Sequence, residues 1–189
     1  AGGLSRRMGG GDKALRQVAG VTLLERVIER LRPQAAPLAL NANGDPSRFA
    51  SFGLPVVADT VPGHLGPLAG LLAGLDWSRR QGLSWCLTVA ADIPLLPLDL
   101  AARLQAAVGA APCAIAASGG RVHPVCGLWS VGLIAATATA LADNRLGLWK
   151  FAETVGCATV DWPSDPLDPF VNVNTPDDAA TLAALLTPR

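Results

Sequence analysis

The sequence predicts a three-layer α/β/α fold built on a mostly parallel sheet, and three observations lead to it. Short apolar runs alternate with amphipathic helical stretches, as in strands covered on both faces by crossover helices. Half of the 189 residues are apolar and mean hydropathy is +0.36, enough for a large core within a single domain spanning 1–189. Three of the apolar runs end on a polar side chain, at Asn41, Asp59 and Asp92. In an open parallel sheet that places all three along the carboxyl edge, where the loops splay apart and ligands bind.

The elements follow in order. After a glycine-rich opening loop, "TLLERVIERLRP" sets Leu23, Leu24, Val27, Ile28 and Leu31 on one helical face. Thr22 and Glu25 have the spacing of a capping box, and Pro33 stops the helix. "PLALNANGD" is an apolar run ending in Asn41 and Asn43, followed by a short helix in "PSRFASFG". "LPVVAD" repeats the pattern and closes on Asp59; a Pro/Gly loop leads to the helical "GPLAGLLAGLDWSRR". "SWCLTVAAD" is the third run, and "IPLLP" leads from it into the helix "LDLAARLQAAVG". "PCAIAA" and "VHPVCGLWS" are strands around the turn "SGGR", and "VGLIAATATALAD" is helical. "GCATVDW" and "FVNVN" read as late strands, separated by the Pro/Asp-rich surface loop "DWPSDPLDPF". "TPDDAATLAALL" closes the chain as a helix with Thr175 as N-cap, Pro176 at its first position and acids in its first turn.

Composition excludes several classes of function. Formal charge is zero, so no global basic field gathers nucleic acid. The apolar runs are too short to span a membrane. Cys86, Cys113, Cys126 and Cys157 form no CxxC pair, which favours reduced, partly buried thiols over a zinc site or a disulfide framework. With no secretory signal in view, the expected compartment is the cytoplasm. Neither His64 nor His123 has the partner spacing of a metal site or a triad.

The opening "AGGLSRRMGGGDKAL" packs five glycines, Arg6, Arg7 and Lys13 into its first thirteen residues. Glycines let backbone N–H groups approach a phosphate closely, and the cations neutralise it. The stretch matches neither the P-loop, since Asp12 precedes Lys13 and Ala14 follows it, nor a strict G-x-G-x-x-G. A long phosphate-cradling loop remains, and a flexible tail has the same composition. Asp92, directly after the most apolar run, can hold Mg²⁺, which takes one or two carboxylates beside phosphate oxygens and water. In "FVNVN" a period of two puts Asn172 and Asn174 on one face as a pair of amides.

The order of "AGGLSRRMGGGDK", "NAN", the Asp after "PVVA", "GPLAG", "ADIPLLPLDL" and "NVNTPDD" resembles the molybdenum cofactor guanylyltransferase family from the first residue to the last helix. The resemblance implies a Rossmann-like nucleotidyltransferase fold, with GTP and molybdopterin as substrates. It implies transfer of GMP to the terminal phosphate of molybdopterin with release of pyrophosphate, Mg²⁺ as cofactor, and transient contact with molybdoenzymes or other cofactor-assembly proteins. By the same resemblance Ala1, Gly2 and Gly3 form the first turn of the nucleotide loop, and Lys13 contacts the GTP phosphates. Asn41 and Asp59 bind the guanosine part, Asp92 binds GTP and Mg²⁺, and Arg7 is a loop arginine implicated in activity. Gly66 falls in the matching "GPLAG" turn, and Asn172 and Asn174 lie on the molybdopterin side. The family has an apolar strand before "AGG", so a strand is expected upstream of residue 1. A cytidylyltransferase acting on the same cofactor, a sugar-nucleotide pyrophosphorylase and a non-catalytic nucleotide-binding module are the alternatives.

Overall fold

The structure, a computed structural model, describes residues 12–61 and 66–186. It begins with a hairpin of β1 (Gln17–Val18) and β2 (Val21–Thr22). The turn holds Ala19 and Gly20 at φ 50° and 76°, the left-handed pair that a two-residue hairpin matching the strand twist requires. Helix α1 (Leu23–Leu31) follows at once, and the capping box expected from sequence is present. Glu25 N–H donates to Thr22 Oγ1 at 3.1 Å, and Thr22 N–H donates to Glu25 Oε2 at 2.8 Å. Such a cap contributes about 1 kcal/mol, whereas burying Leu23, Leu24, Val27 and Ile28 contributes about 1.5–3 kcal/mol for each side chain. Packing therefore holds this nine-residue helix, which would be marginal alone.

Strands β3 (Leu40–Asn41) and β4 (Val56–Val57) pair in parallel. The 3₁₀ segment Pro46–Phe52 between them buries Phe49 against Leu24, Ile28 and Leu40. Helix α2 (Pro67–Arg80) leads to β5 (Trp85–Thr88), and α3 (Leu100–Val108) leads to the hairpin of β6 (Cys113–Ser118) and β7 (Arg121–Ser130). Then come α4 (Ile134–Ala142), α5 (Leu148–Val155), β8 (Cys157–Trp162) and α6 (Pro176–Leu186). The larger sheet has the order β5-β7-β6-β8. β7 is antiparallel to β5 and to β6, while β6 and β8 are parallel. Three of its four strands thus run in one direction, and their carboxyl ends share one edge.

Alternation along the strands builds the layers. Cys113, Ile115 and Trp129 join Leu68, Leu72 and Leu75 of α2 and Phe151 of α5 on one face. Ala114, Ala116, Cys126 and Leu128 join Leu100, Leu104 and Val108 of α3 on the other. The fully buried Trp129 donates its indole N–H to Thr88 Oγ1 at 3.0 Å, and Thr88 donates on to Val125 O at 2.8 Å. Its one polar atom is therefore satisfied inside the core. All four cysteines are free, and burial pushes the Cys126 thiol up to about 12.

Three sequence readings change. "FVNVN" is not a strand: it has no sheet partner, and Val173 N–H donates instead to Asp92 O at 3.0 Å. Phe170 and Val173 are both buried while Val171 is 38% exposed, so the chain plugs two apolar sites three residues apart and period two is lost. The β1–β2 hairpin and α5 were not anticipated, although Leu148, Phe151 and Ala152 have helical spacing and are buried. The third apolar run ends as a strand at Thr88, and Asp92 sits in the turn beyond it. Residues 163–167 are exposed, as expected of a surface loop, but the segment then turns inward at Phe170.

Candidate functional site

Lys13 lies in the 3₁₀ turn Lys13–Leu15, Asp92 in the turn beyond β5, and Asn174 just before α6. Lys13 Nζ stands 2.5 Å from Asp92 Oδ2 and also donates to Asn174 Oδ1. The Lys13 and Asp92 side chains are only 18% and 22% exposed, so salt screens their attraction less than it would a surface pair. The backbone locks the same junction through the Val173–Asp92 bond. Asp178 Oδ2 accepts the N–H groups of Asn174 at 2.8 Å and Thr175 at 2.7 Å, and Thr175 Oγ1 accepts Asp178 N–H at 3.1 Å. Those backbone donors hold the Asp178 carboxyl below its usual range. The predicted Thr175 cap is thus present, and Asp178 reciprocates it.

A second polar group sits where β3 and β4 end. Asn41 Nδ2 donates to Asp59 Oδ1 at 2.9 Å and to Val57 O at 3.1 Å. Asn43 Nδ2 donates to Asp59 Oδ2 at 2.8 Å, and Asp59 N–H returns a bond to Asn43 Oδ1 at 2.9 Å. Arg48 ties this group to the opening loop, donating to Asn43 O and pairing with Asp12 at 3.0 Å. Sequence reasoning assigned no role to Asn43, Arg48 or Gly70; the repeated Asn of "NAN" was the available signal for the first.

Helix α2 approaches this cluster so closely that a Cβ on Gly70 would stand 2.6 Å from Asn41 Oδ1. Gly70→Ala gains about 0.5–1 kcal/mol of helix propensity, but overpacking costs about 1–3 kcal/mol. The expected result is a net loss of about 1 kcal/mol in urea denaturation, whereas Gly74→Ala, whose Cβ meets only Cys86 Sγ at 3.2 Å, stays closer to neutral. Equal stabilisation of both variants would contradict the close approach.

One cavity of about 1500 Å³ is lined by Lys13, Asn41, Asn43, Asp59, Gly66 and Asp92 among others, ample for a nucleotide. Gly66, at φ 76°, is the N-cap of α2. Apolar side chains line the rest of it, among them Leu24, Val27 and Ile28 of α1, Leu40 of β3 and Leu87 of β5. Of the predicted site residues, Lys13, Asn41, Asp59, Gly66, Asp92 and Asn174 are brought to this region. Asn172 is exposed next to the buried Val173. Ala1, Gly2, Gly3, Arg7 and His64 lie outside the described residues. Among the described residues no three His, Cys, Asp or Glu side chains gather into a metal cage. Asp92 offers a single carboxylate at a partly open edge, a donor set that fits Mg²⁺ when phosphate oxygens and water complete its shell.

A cation and carboxylate at the carboxyl edge of an α/β sheet, next to a strand-end amide cluster, suit a nucleotide-handling site. Residues 1–158 match the family model of the MobA-like NTP transferase domain, so the chain is of the nucleotidyltransferase class. The molybdenum cofactor guanylyltransferase of Rhodopseudomonas palustris (strain BisB5) is 55% identical over 185 residues, covering 95% of this chain and 88% of that one. That of Nitrobacter hamburgensis is 53% identical, covering 98% and 92%. The chain belongs to the molybdenum cofactor guanylyltransferase family. The fold is shared with molybdopterin-guanine dinucleotide biosynthesis protein A of Archaeoglobus fulgidus (TM-score 0.72, 20% identity, covering 97% and 94%). It is shared also with 2-C-methyl-D-erythritol 4-phosphate cytidylyltransferase of Thermus thermophilus (TM-score 0.67, 21% identity, covering 92% and 93%). No helix among the described residues is long and apolar enough to cross a membrane.

Proposed function

We propose that this chain transfers GMP from GTP to the terminal phosphate of molybdopterin, forming molybdopterin guanine dinucleotide. A phosphate oxygen of molybdopterin attacks the α-phosphorus of GTP in line, the bond from that phosphorus to the bridging oxygen breaks, and pyrophosphate leaves. The nucleophile is already an anion, so the protein needs no general base and contributes positioning and charge neutralisation. The observation that carries this reading is the meeting of Lys13, Asp92 and Asn174 at the mouth of a nucleotide-sized cavity.

In this reading Lys13 neutralises the phosphates, joined by Arg7 and the amides of Ala1, Gly2 and Gly3. Asn41 and Asp59 border the nucleoside end, and Gly66, Asn172 and Asn174 lie on the side of the pterin substrate. Mg²⁺, when bound, supplies further charge neutralisation on the phosphates, and Asp92 is the residue that would hold it. The reading places the enzyme in the cytoplasm, in transient contact with the molybdoenzymes or assembly proteins that take its product.

The test is pyrophosphate release from GTP and molybdopterin, with CTP in parallel. Release with GTP and Mg²⁺ is expected. Preference for CTP would make the chain a cytidylyltransferase, and GTP binding without release would make it a binding module.

A further inference from the structure

Ser118, the last residue of β6, is 1% exposed. Its hydroxyl donates to Asp168 Oδ1 at 2.8 Å and stands 2.8 Å from Nε2 of His123 on β7. Having given its only proton to the carboxylate, Ser118 accepts from His123, which assigns a hydrogen to Nε2. Asp168 Oδ1 also accepts the N–H of Phe170 at 2.9 Å. The buried Phe170 ring stacks on His123 with centroids 4.8 Å apart and meets Trp162 edge-on at 5.4 Å. Arg103 of α3 lies 4.2 Å over Trp162 and donates to Asp161 O at 2.7 Å.

These residues are not a nucleophilic triad. The serine lies between the other two, is buried, and spends its proton on the acid. What the chain of bonds does is fasten residues 168–174 to the carboxyl edge of the sheet. That segment has no ladder to hold it, and its backbone groups need other partners. It is attached at Asp168, at Phe170 and, through Val173 N–H, at Asp92 O. The next residue is Asn174, which takes a hydrogen bond from Lys13.

We infer that Ser118, His123 and Asp168 are positioning residues that clasp the 168–174 segment to the sheet and so present Asn172 and Asn174 to the acceptor substrate. The inference rests on the reading of those asparagines as the molybdopterin side of the site. A buried hydroxyl such as that of Ser118 costs more than apolar packing would unless it is bonded. Here the hydroxyl's proton goes to Asp168 and the His123 ring stacks on Phe170, both in the segment that carries the asparagines.

The experiment uses the whole chain with Asp168→Ala, Asp168→Asn and Ser118→Ala, and reads amide hydrogen exchange together with steady-state kinetics. In Asp168→Ala, exchange over 168–174 quickens while β6 and α3 stay protected. The KM for molybdopterin rises about tenfold, the size of one intramolecular hydrogen bond, and the KM for GTP is unchanged. Asp168→Asn keeps an oxygen that accepts from Ser118 and Phe170, and restores both readings. Ser118→Ala removes only the bridging hydroxyl and gives the Asp168→Ala pattern if that variant does not fold. Unchanged exchange in Asp168→Ala or Ser118→Ala overturns the clasp. Faster exchange with an unchanged molybdopterin KM overturns instead the placement of the asparagines on which it rests.

Discussion

Asp92→Ala is expected to lower turnover by about 10³-fold or more at saturating GTP and Mg²⁺, the scale of removing a principal charge-stabilising group. The fold should survive the change. Asp92 fills no core volume, its side chain is 22% exposed, and its structural contribution is the backbone carbonyl that accepts Val173 N–H, which alanine retains. Losing the ion pair with Lys13 costs more than a surface pair would, about 1–3 kcal/mol, which is still less than the roughly 5–15 kcal/mol that holds a domain folded. Pyrophosphate release measured beside a thermal melt separates the two effects. Substantial residual turnover in a folded Asp92→Ala would remove Asp92 from the chemistry.

Lys13→Ala is expected to cost about 10²-fold in turnover, or ~2.7 kcal/mol of transition-state stabilisation, with a higher KM for GTP. Its ammonium meets both Asp92 and Asn174, so its loss removes the positive charge and unties the segment before α6. Lys13→Arg should recover little, because a planar guanidinium cannot take the place of a compact ammonium between two closely set oxygens. Steady-state kinetics of both variants check this, and a fall of less than about threefold in Lys13→Ala would contradict it.

Much of the architecture was legible in local sequence. The Thr22–Glu25 capping box, the helical faces of α1 and α2, the "SGGR" hairpin and the Thr175 cap all depend on residues within a few positions of one another. The strand-end rule found Asn41, Asp59 and Asp92 because a sheet delivers such groups to one edge wherever its strands are short and apolar. The same local logic failed at "FVNVN". There the alternation was genuine, but Phe170 and Val173 found buried sites that period two does not connect, and the segment left the sheet. It failed at Gly70 for a related reason. A glycine inside a helix shows its purpose only when the helix is docked and the space beside Asn41 is known.

By itself the sequence determined the fold class, the family and the types of residue available for phosphate chemistry, since composition, periodicity and motif order are properties of neighbours along the chain. Tertiary structure decided which of those residues meet. Lys13 reaches Asp92 across 79 positions and Asn174 across 161, and no local pattern records a contact over such separations. Ser118, His123 and Asp168 carried no motif at all. Only the packing of Phe170 and the carboxyl edge of β6 brings them together, because buried polar groups must find partners and the folded chain supplies those within reach.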